Sequence, residues 1–290
     1  MMTELIEIAL DVLIDALLDT VKLMPFMYAA FFFMEYFEHK AGDKLSGFLK
    51  KAGKSSVGGA LVGAALGCVP QCGFSAAASN LYAGEMISAG TLMAVFLSTS
   101  DEALPILISS PESAGLIWKL IAAKLIIAVI AGLATDAVCR LLKNHRREEP
   151  FGDICTDCGC GSHGIWYAAL KHTLSIALFI LIVNLVLGSL FAAVGEDKVM
   201  DFLGGLGFAQ PLIAAFVGMI PNCAASVIIT ELYVKGAITF GSAAAGLATG
   251  AGVGLAVLYR VNKSVKENIA ITAALYVIGA ASGIIINLFA

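Results

Sequence analysis

Long apolar segments alternate with short polar stretches along the whole chain. An apolar run of about 20 residues is long enough to cross the hydrocarbon core of a bilayer as a helix. Glycines occur inside these runs, as transmembrane helices tolerate. The segments lie at 20–37, 56–83, 88–110, 115–140, 166–194, 207–233, 238–260 and 267–289. The pattern predicts an all-α integral membrane protein.

The composition excludes an ordinary water-soluble fold. Of the 290 residues, 59% are hydrophobic and 14% are charged, and the mean hydropathy is +0.89. A soluble domain carries about 25% charged residues. The 30 glycines predict close contacts between helices, because helices in lipid associate through small residues.

A nine-residue motif around a proline occurs twice. The stretch 67–75, Gly-Cys-Val-Pro-Gln-Cys-Gly-Phe-Ser, is matched by 218–226, Gly-Met-Ile-Pro-Asn-Cys-Ala-Ala-Ser. The offset is 218 − 67 = 151, and it holds without a gap as far as the pair Gly132 and Gly283. Chance similarity between apolar helices would not keep proline, cysteine, serine and glycine in register over about 65 positions. The two halves are therefore predicted to be repeats.

Basic loops indicate the orientation of these repeats, because short cytoplasmic loops carry an excess of Lys and Arg. The loops 38–55 and 140–147 are basic, whereas the counterpart of the first one in the second half, 196–201, is mainly acidic. The loop 260–266 is basic again. Equivalent loops of opposite charge predict two inverted-topology repeats with both termini external.

Three apolar segments lie between the two basic loops of the first half, so one of them must cross twice or fold back. We expect this of segment 56–83, because Pro70 removes a helical hydrogen bond near its midpoint. The same argument holds for 207–233 around Pro221. Each half then has about five helical pieces, with Pro-broken helices or re-entrant hairpins meeting near the midplane. The sequence leaves full spans and re-entrant hairpins open.

This division predicts four regions. They are an acidic N-terminal amphipathic helix at 1–19, transmembrane repeat 1 at 20–140, a cytoplasmic Cys/His-containing loop at 141–165, and transmembrane repeat 2 at 166–290.

Both proline breaks carry the same set of polar side chains. Broken helices at membrane depth are tolerated where protein or a water-filled cavity satisfies the backbone, and in transporters solutes bind there. The alternative is a pair of structural kinks whose small polar side chains cap the helix ends. The predicted solute-binding residues are Cys68, Gln71, Cys72, Ser75, Asn80, Asn222, Cys223, Ser226 and Glu231.

Two carboxylates, Asp101 and Glu102, interrupt the apolar segment that follows the first break. Each charge costs about 2.5 to 3.5 kcal/mol on membrane insertion, so such groups usually face a cavity on an ion or proton pathway. An interfacial loop is the alternative. We predict ion or proton coupling at Asp101 and Glu102 with Ser98, Ser100, Asp19 and His172.

The loop between the halves contains three cysteines and a histidine within nine residues. Thiolate and imidazole are the usual ligands of zinc and other soft ions, although the spacing matches no standard zinc finger. Free thiols without a ligand role are the alternative. The predicted metal ligands are Cys155, Cys158, Cys160 and His163.

The stretch 67–82, with 90–107 after it, resembles the ten-transmembrane heavy-metal exporter family, whose members are labelled arsenic efflux proteins or manganese transporters. The likeness covers nearly the whole chain, and it extends more weakly to organoarsenical permeases, which place Pro and Cys at a helix break. The resemblance implies ten helices and export of a metal or metalloid, either an arsenical or a divalent cation such as manganese.

No enzyme signature accompanies these features, since phosphate-cradling loops and His-Glu-x-x-His are absent. We therefore expect a secondary active transporter that needs no cofactor beyond a metal ion at the Cys/His loop. Its expected partners are the lipid bilayer of a prokaryotic plasma (inner) membrane, a small inorganic solute, and a proton or cation gradient, with no nucleic acid. A homodimer stays open. The alternatives are a carrier of a small organic solute or anion and a non-transporting membrane metal sensor.

Overall fold

The computed structural model describes most of both halves. The residues it describes are 10, 12–18, 20–22, 24, 25, 27–29, 31, 32, 56–68, 72–99, 103, 104, 107, 114–141, 165–194 and 207–289. All regular secondary structure within these ranges is helical. This confirms the prediction of an all-α protein.

The helices follow the predicted apolar segments closely. The first half contains α1 (Ser56–Gly67), α2 (Cys72–Ala83), α3 (Ala89–Ser98) and α4 (Ala114–Leu141), after helical residues between 10 and 32. The second half contains α5 (Ile165–Val194), α6 (Gln210–Gly218), α7 (Cys223–Val234), α8 (Phe240–Thr249), α9 (Val253–Val261) and α10 (Val265–Phe289).

Four helical stretches in the described part of the chain are long and apolar enough to cross a membrane. They are Gly115–Leu141, Ala169–Val186, Val265–Phe289 and Phe240–Val261, the last of which contains the short interruption between α8 and α9. Isoleucines on the outer face of α4, such as Ile126 and Ile130, are about 60% exposed. Surfaces with so many apolar side chains are stable against lipid rather than water. The chain is therefore a membrane protein.

Two short helices form the interior of the bundle. Each of α3 and α8 has 10 residues, which is about 15 Å at 1.5 Å per residue. The stretches 90–98 of α3 and 241–249 of α8 are buried throughout. Helices α1 and α4 pack against α3, and α6 and α10 pack against α8.

Glycines let these helices approach closely, as the sequence predicted. A Cβ atom on Gly90 would overlap the carbonyl oxygen of Gly132 on α4, and one on Gly241 would overlap the carbonyl oxygen of Gly283 on α10. In lipid, this kind of backbone approach supplies the packing that holds helices together.

The helices and their caps recur at the sequence offset. Helix α7 begins 223 − 72 = 151 residues after α2, α8 begins 240 − 89 = 151 after α3, and α10 begins 265 − 114 = 151 after α4. The N-cap hydroxyls also correspond. Ser88 accepts a hydrogen bond from the amide of Thr91, and Thr239 accepts one from the amide of Ser242.

Each half packs one short helix against the other half. The Ser79 hydroxyl of α2 donates a 2.7 Å hydrogen bond to the carbonyl of Gly254 on α9. On the other side, Ala103 and Leu107 of the first half share an apolar cluster with Ile228 and Leu232 of α7. The two halves therefore interlock and do not simply lie side by side.

The third apolar segment of each half contains a break that the segment boundaries did not predict. Helix α8 ends at Thr249 and α9 begins at Val253. Gly252 between them has φ +53°, a conformation that side chains rarely adopt. In the first half, α3 ends at Ser98 and Thr99 is its C-cap. Residues 103, 104 and 107 are helical again.

Candidate functional site

The first predicted break lies between α1 and α2. Cys68 follows the end of α1 and is partly buried, with a free thiol. Cys72 opens α2. Its side chain and the whole of Gln71 lie outside the described residues. Ser75, one turn further along α2, is fully buried.

Ser75 lies at the contact between α2 and α9. A Cβ atom on Gly254 would be 2.6 Å from the Cβ of Ser75, so the glycine is needed for this approach. The neighbouring Ser79 hydroxyl binds the Gly254 carbonyl. This part of the first break therefore contacts the second half directly.

The corresponding break of the second half lies between α6 and α7. Residues 219–222 form a non-helical turn that contains Pro221 and the partly buried Asn222. Cys223 opens α7, and its side chain is outside the described residues. The Ser226 hydroxyl lies 3.4 Å from the position of a Cβ atom on Gly250. This break is therefore adjacent to the end of α8.

The C-terminal end of α3 packs against the end of α1. A Cβ atom on Gly67 would overlap the Ser98 hydroxyl. Ser98 donates hydrogen bonds of 2.7 Å to the Ala94 carbonyl and 3.1 Å to the Val95 carbonyl. The predicted coupling residue Ser98 is thus next to Cys68, the residue that follows Gly67. Ser100, Asp101 and Glu102 lie outside the described residues.

A buried lysine, which the sequence analysis did not select, lies at the same place. Lys124 of α4 is 0% exposed. Its ammonium donates hydrogen bonds to the carbonyl of Thr99, at the end of α3, and to the carbonyl of Leu247, near the end of α8, the latter at 2.6 Å. Thr99 adjoins Ser98, which packs against Gly67, the residue before Cys68. Lys124 therefore links α4, α3 and α8 beside the first break.

The signal for this lysine was present in the sequence. Lys124 lies near the middle of the apolar segment 115–140, where a charge costs about 2.5 to 3.5 kcal/mol on insertion. Its counterpart in the repeat, 124 + 151 = 275, is Leu275, which is also fully buried. Comparing the two halves position by position would have selected it.

Asn80 and Glu231 are repeat equivalents in different environments. Asn80 is 2% exposed, its amide nitrogen donates to the Ala76 carbonyl, and its Oδ1 accepts no hydrogen bond from the described residues. Glu231 is half-exposed and forms a 2.9 Å ion pair with Lys235. The buried acceptor of Asn80 is thus available to a ligand, whereas the Glu231 carboxylate already has a cationic neighbour.

Asp19 and His172 are further predicted coupling residues, and each is followed by a threonine. Asp19 and the side chain of His172 lie outside the described residues. The threonine that follows each of them is buried, and each donates a 2.7 Å hydrogen bond one turn back, Thr20 to Ala16 and Thr173 to Ala169. The two helices therefore place their threonines alike.

The predicted loop ligands Cys155, Cys158, Cys160 and His163 lie outside the described residues. Among the residues that are described, no group of three or more His, Cys, Asp or Glu side chains could hold a metal ion.

A cavity of about 610 Å³ lies away from Lys124, between α4 and α10. The last turns of α4, with Asp136 and Cys139, and the first turns of α10, with Glu267 and Ile271, line the same cavity. These repeat-equivalent helices therefore bring opposite ends together.

Asp136 also caps α3, a role that the sequence analysis missed. Its carboxylate accepts hydrogen bonds of 2.7 Å from the Gly90 amide and 2.9 Å from the Ser88 hydroxyl. Asn287, at 136 + 151, accepts a 3.0 Å bond from the Gly241 amide in the same way.

The sequence was compared with known families, curated proteins and solved structures. Residues 4–202 match the model of a family described as "Putative, 10TM heavy-metal exporter". No curated protein and no solved structure matches the chain.

Proposed function

Because this chain belongs to the family of 10TM heavy-metal exporters, we propose that it is a secondary active exporter of a metal or metalloid ion. The solute site lies at the centre of the bundle, between the breaks that contain Pro70 and Pro221. Asp101 and Glu102 couple solute movement to a proton or cation gradient. The protein spans a prokaryotic inner membrane with both termini external.

One observation carries this proposal, namely that α3 and α8 both end inside the protein. Each is buried over nearly its whole length, and each is about half as long as the roughly 30 Å hydrocarbon core. Backbone that leaves the helical conformation at membrane depth must be buried in protein or line a cavity. In secondary transporters, such interruptions bind the solute and the coupling ion.

The arrangement of the two halves supports an inverted repeat. Helix starts, N-caps and the carboxylate or amide caps recur at the offset of 151. The end of α4 shares a cavity with the beginning of its equivalent, α10. Two equivalent helices that bring opposite ends together run in opposite directions, as two repeats of opposite orientation require.

The polar groups at the breaks fit a metal or metalloid better than a large organic solute. Thiols of Cys68, Cys72 and Cys223 favour soft species such as arsenicals, whereas the amides of Gln71 and Asn222 with nearby carboxylates favour a harder cation such as manganese. The serines Ser75 and Ser226 complete the set, and Asn80 adds a buried acceptor. The Cys155–His163 loop binds the same metal on the cytoplasmic side.

Transport into sealed proteoliposomes tests this function. Arsenite and Mn²⁺ are supplied in parallel at two pH values to the parent and to Cys68→Ser. We expect Cys68→Ser to lower transport of the soft solute by about tenfold, because a hydroxyl is a poor ligand for a soft ion. Cys139→Ser is the matched control, since Cys139 is also a partly buried free thiol but lies at the cavity between α4 and α10.

Equal transport by parent, Cys68→Ser and Cys139→Ser would contradict the role of the first break. Absence of movement of any tested metal or metalloid by the parent would contradict export itself. A pH gradient that leaves the rate unchanged would contradict proton coupling.

A further inference from the structure

The ends of two half-length helices converge on one buried ammonium. Lys124 donates to the Thr99 carbonyl at the C-cap of α3 and to the Leu247 carbonyl two residues before the end of α8. The last carbonyls of a helix are not used within the helix and carry a partial negative charge. One such carbonyl from each half therefore faces the same cation.

Carbonyl groups at helix ends are the ligands that transporters offer to a coupling cation. In this chain the cation is the Lys124 ammonium, which is covalently attached because Lys124 belongs to α4. The scaffold itself does not require it, since the equivalent residue of α10 is Leu275, fully buried within an apolar cluster. The ammonium is therefore an addition to one half of a repeated architecture.

We propose that the converging ends of α3 and α8 form a monovalent-cation site whose resident cation is the Lys124 ammonium, so that solute transport needs no Na⁺ or K⁺ at this site. The inference rests on the proposed function to the extent that these helix ends belong to the transport pathway. Lys124 is a positioning residue, since it acts through the Thr99 and Leu247 carbonyls and holds the two halves together at their centre.

The occupant of this site also affects the first break. The positive charge of Lys124 lies close to Cys68, one of the proposed solute ligands, because Thr99 binds Lys124 and the adjoining Ser98 packs against Gly67. A cation that replaced the ammonium at the same carbonyls would restore this charge, whereas an empty site would not. We therefore expect the rate of solute transport to depend on whether a cation occupies the site at the Thr99 and Leu247 carbonyls.

Removal of the Lys124 side chain should leave a site that a free cation can enter and leave. Lys124→Ala is compared with the parent and with Leu275→Ala, which removes a fully buried side chain from the equivalent position of α10. Thermal melting in detergent is followed in N-methylglucamine chloride and, at equal ionic strength, in NaCl, KCl and methylammonium chloride. Small cations that bind the folded state raise its melting temperature.

We expect Lys124→Ala to melt several degrees higher with Na⁺, K⁺ or methylammonium than with N-methylglucamine, which is too large for the vacated place. The parent and Leu275→Ala should melt at the same temperature in all four salts. The inference is overturned if Lys124→Ala shows no such difference, or if Leu275→Ala shows the same one. If Lys124→Ala is not recovered without a small cation, recovery in methylammonium supports the site, and failure in every salt overturns it.

Proteoliposomes supply the second readout. Replacement of Na⁺ or K⁺ by N-methylglucamine should affect the parent less than it affects Lys124→Ala. Lys124→Ala should lose about tenfold or more of its rate relative to the parent in N-methylglucamine, because the negative helix ends are left without a cation, and should regain it with methylammonium. An equal response of the two proteins to this replacement overturns the inference. If the parent moves no solute under any condition, the exporter proposal fails, and the melting comparison then decides the cation site alone.

Discussion

In the first half a carboxylate, Asp136, caps the central helix α3, whereas in the second half an amide, Asn287, caps α8. A second ionisable residue of the first half, the buried Lys124, also corresponds to an uncharged residue, Leu275. The bounds of α3 and α8, and the starts of α4 and α10, are nevertheless the same once the offset is applied. Backbone packing is therefore shared by the two halves, while at these two pairs of positions the ionisable side chain belongs to the first half.

Substitution of the equivalent glycines Gly90 and Gly241 by alanine tests whether the packing is shared. A Cβ atom at either position would overlap a backbone carbonyl of the neighbouring long helix. We expect each change to lower the free energy of unfolding by about 3 kcal/mol, the upper range for overpacking. Unfolding in detergent is the measurement. Gly115→Ala is the control, because nothing lies within 4 Å of a Cβ at that residue. Clearly unequal effects at the two sites would contradict a shared scaffold.

The two caps should be partly interchangeable. Asp136→Ala leaves the buried Gly90 amide without its acceptor, so we expect a loss of about 2 kcal/mol. Asp136→Asn keeps an acceptor oxygen, as Asn287 does for α8, and should lose about 1 kcal/mol or less. Unfolding of both variants is compared with that of Asn287→Ala. If Asp136→Asn is as damaging as Asp136→Ala, the charge and not the hydrogen bond is what α3 requires.

Ser79 and Thr230 occupy equivalent positions in the two halves, but their hydroxyls differ in whether they bind the other half. Ser79 donates to Gly254 in the other half, whereas Thr230 donates to the Ser226 carbonyl of its own helix. Interhelical hydrogen bonds in membrane proteins contribute about 0.6 kcal/mol on average and up to about 1.7. We expect Ser79→Ala to cost about 1 kcal/mol and Thr230→Val to cost less. Equal costs would mean that the contact between the halves does not depend on this bond.

The smallest effect is expected at Glu231. Its ion pair with Lys235 is half-exposed, and surface pairs one helical turn apart contribute about 0.3 to 0.5 kcal/mol. Glu231→Gln should therefore leave stability almost unchanged. A large loss of transport without a loss of stability would give this carboxylate the solute-binding role predicted from the sequence.

The helix boundaries could be predicted from the sequence because they depend on local features. Apolar run lengths set the long helices, and the predicted segment 115–140 agrees with α4 (Ala114–Leu141). The interruption between α8 and α9 was not predicted, although Gly250 and Gly252 are poor helix formers. Next to it, the Thr249 hydroxyl donates a 2.7 Å hydrogen bond to the Ala215 carbonyl of α6.

The candidate site was predicted less completely than the fold. The recurring prolines and cysteines predicted two breaks, which stay a prediction, and Ser75 and Ser226 both lie near the α8–α9 region. Lys124 was nevertheless not among the predicted residues, because a charge within an apolar helix has no motif around it. Its role depends on carbonyls that are 25 and 123 residues away along the chain, and only the folded arrangement brings them together.

The hydrogen bond from Ser79 to Gly254 joins residues that are 175 positions apart, and this separation has a consequence for biosynthesis. At the usual rate of translation, about 5 to 20 residues per second, α9 leaves the ribosome roughly 10 to 35 s after α2. During this interval the face of α2 that carries Ser75 and Ser79 is already in the membrane without the helix that covers it. The contacts of this face of α2 are therefore completed only after α9 of the second half has been synthesised.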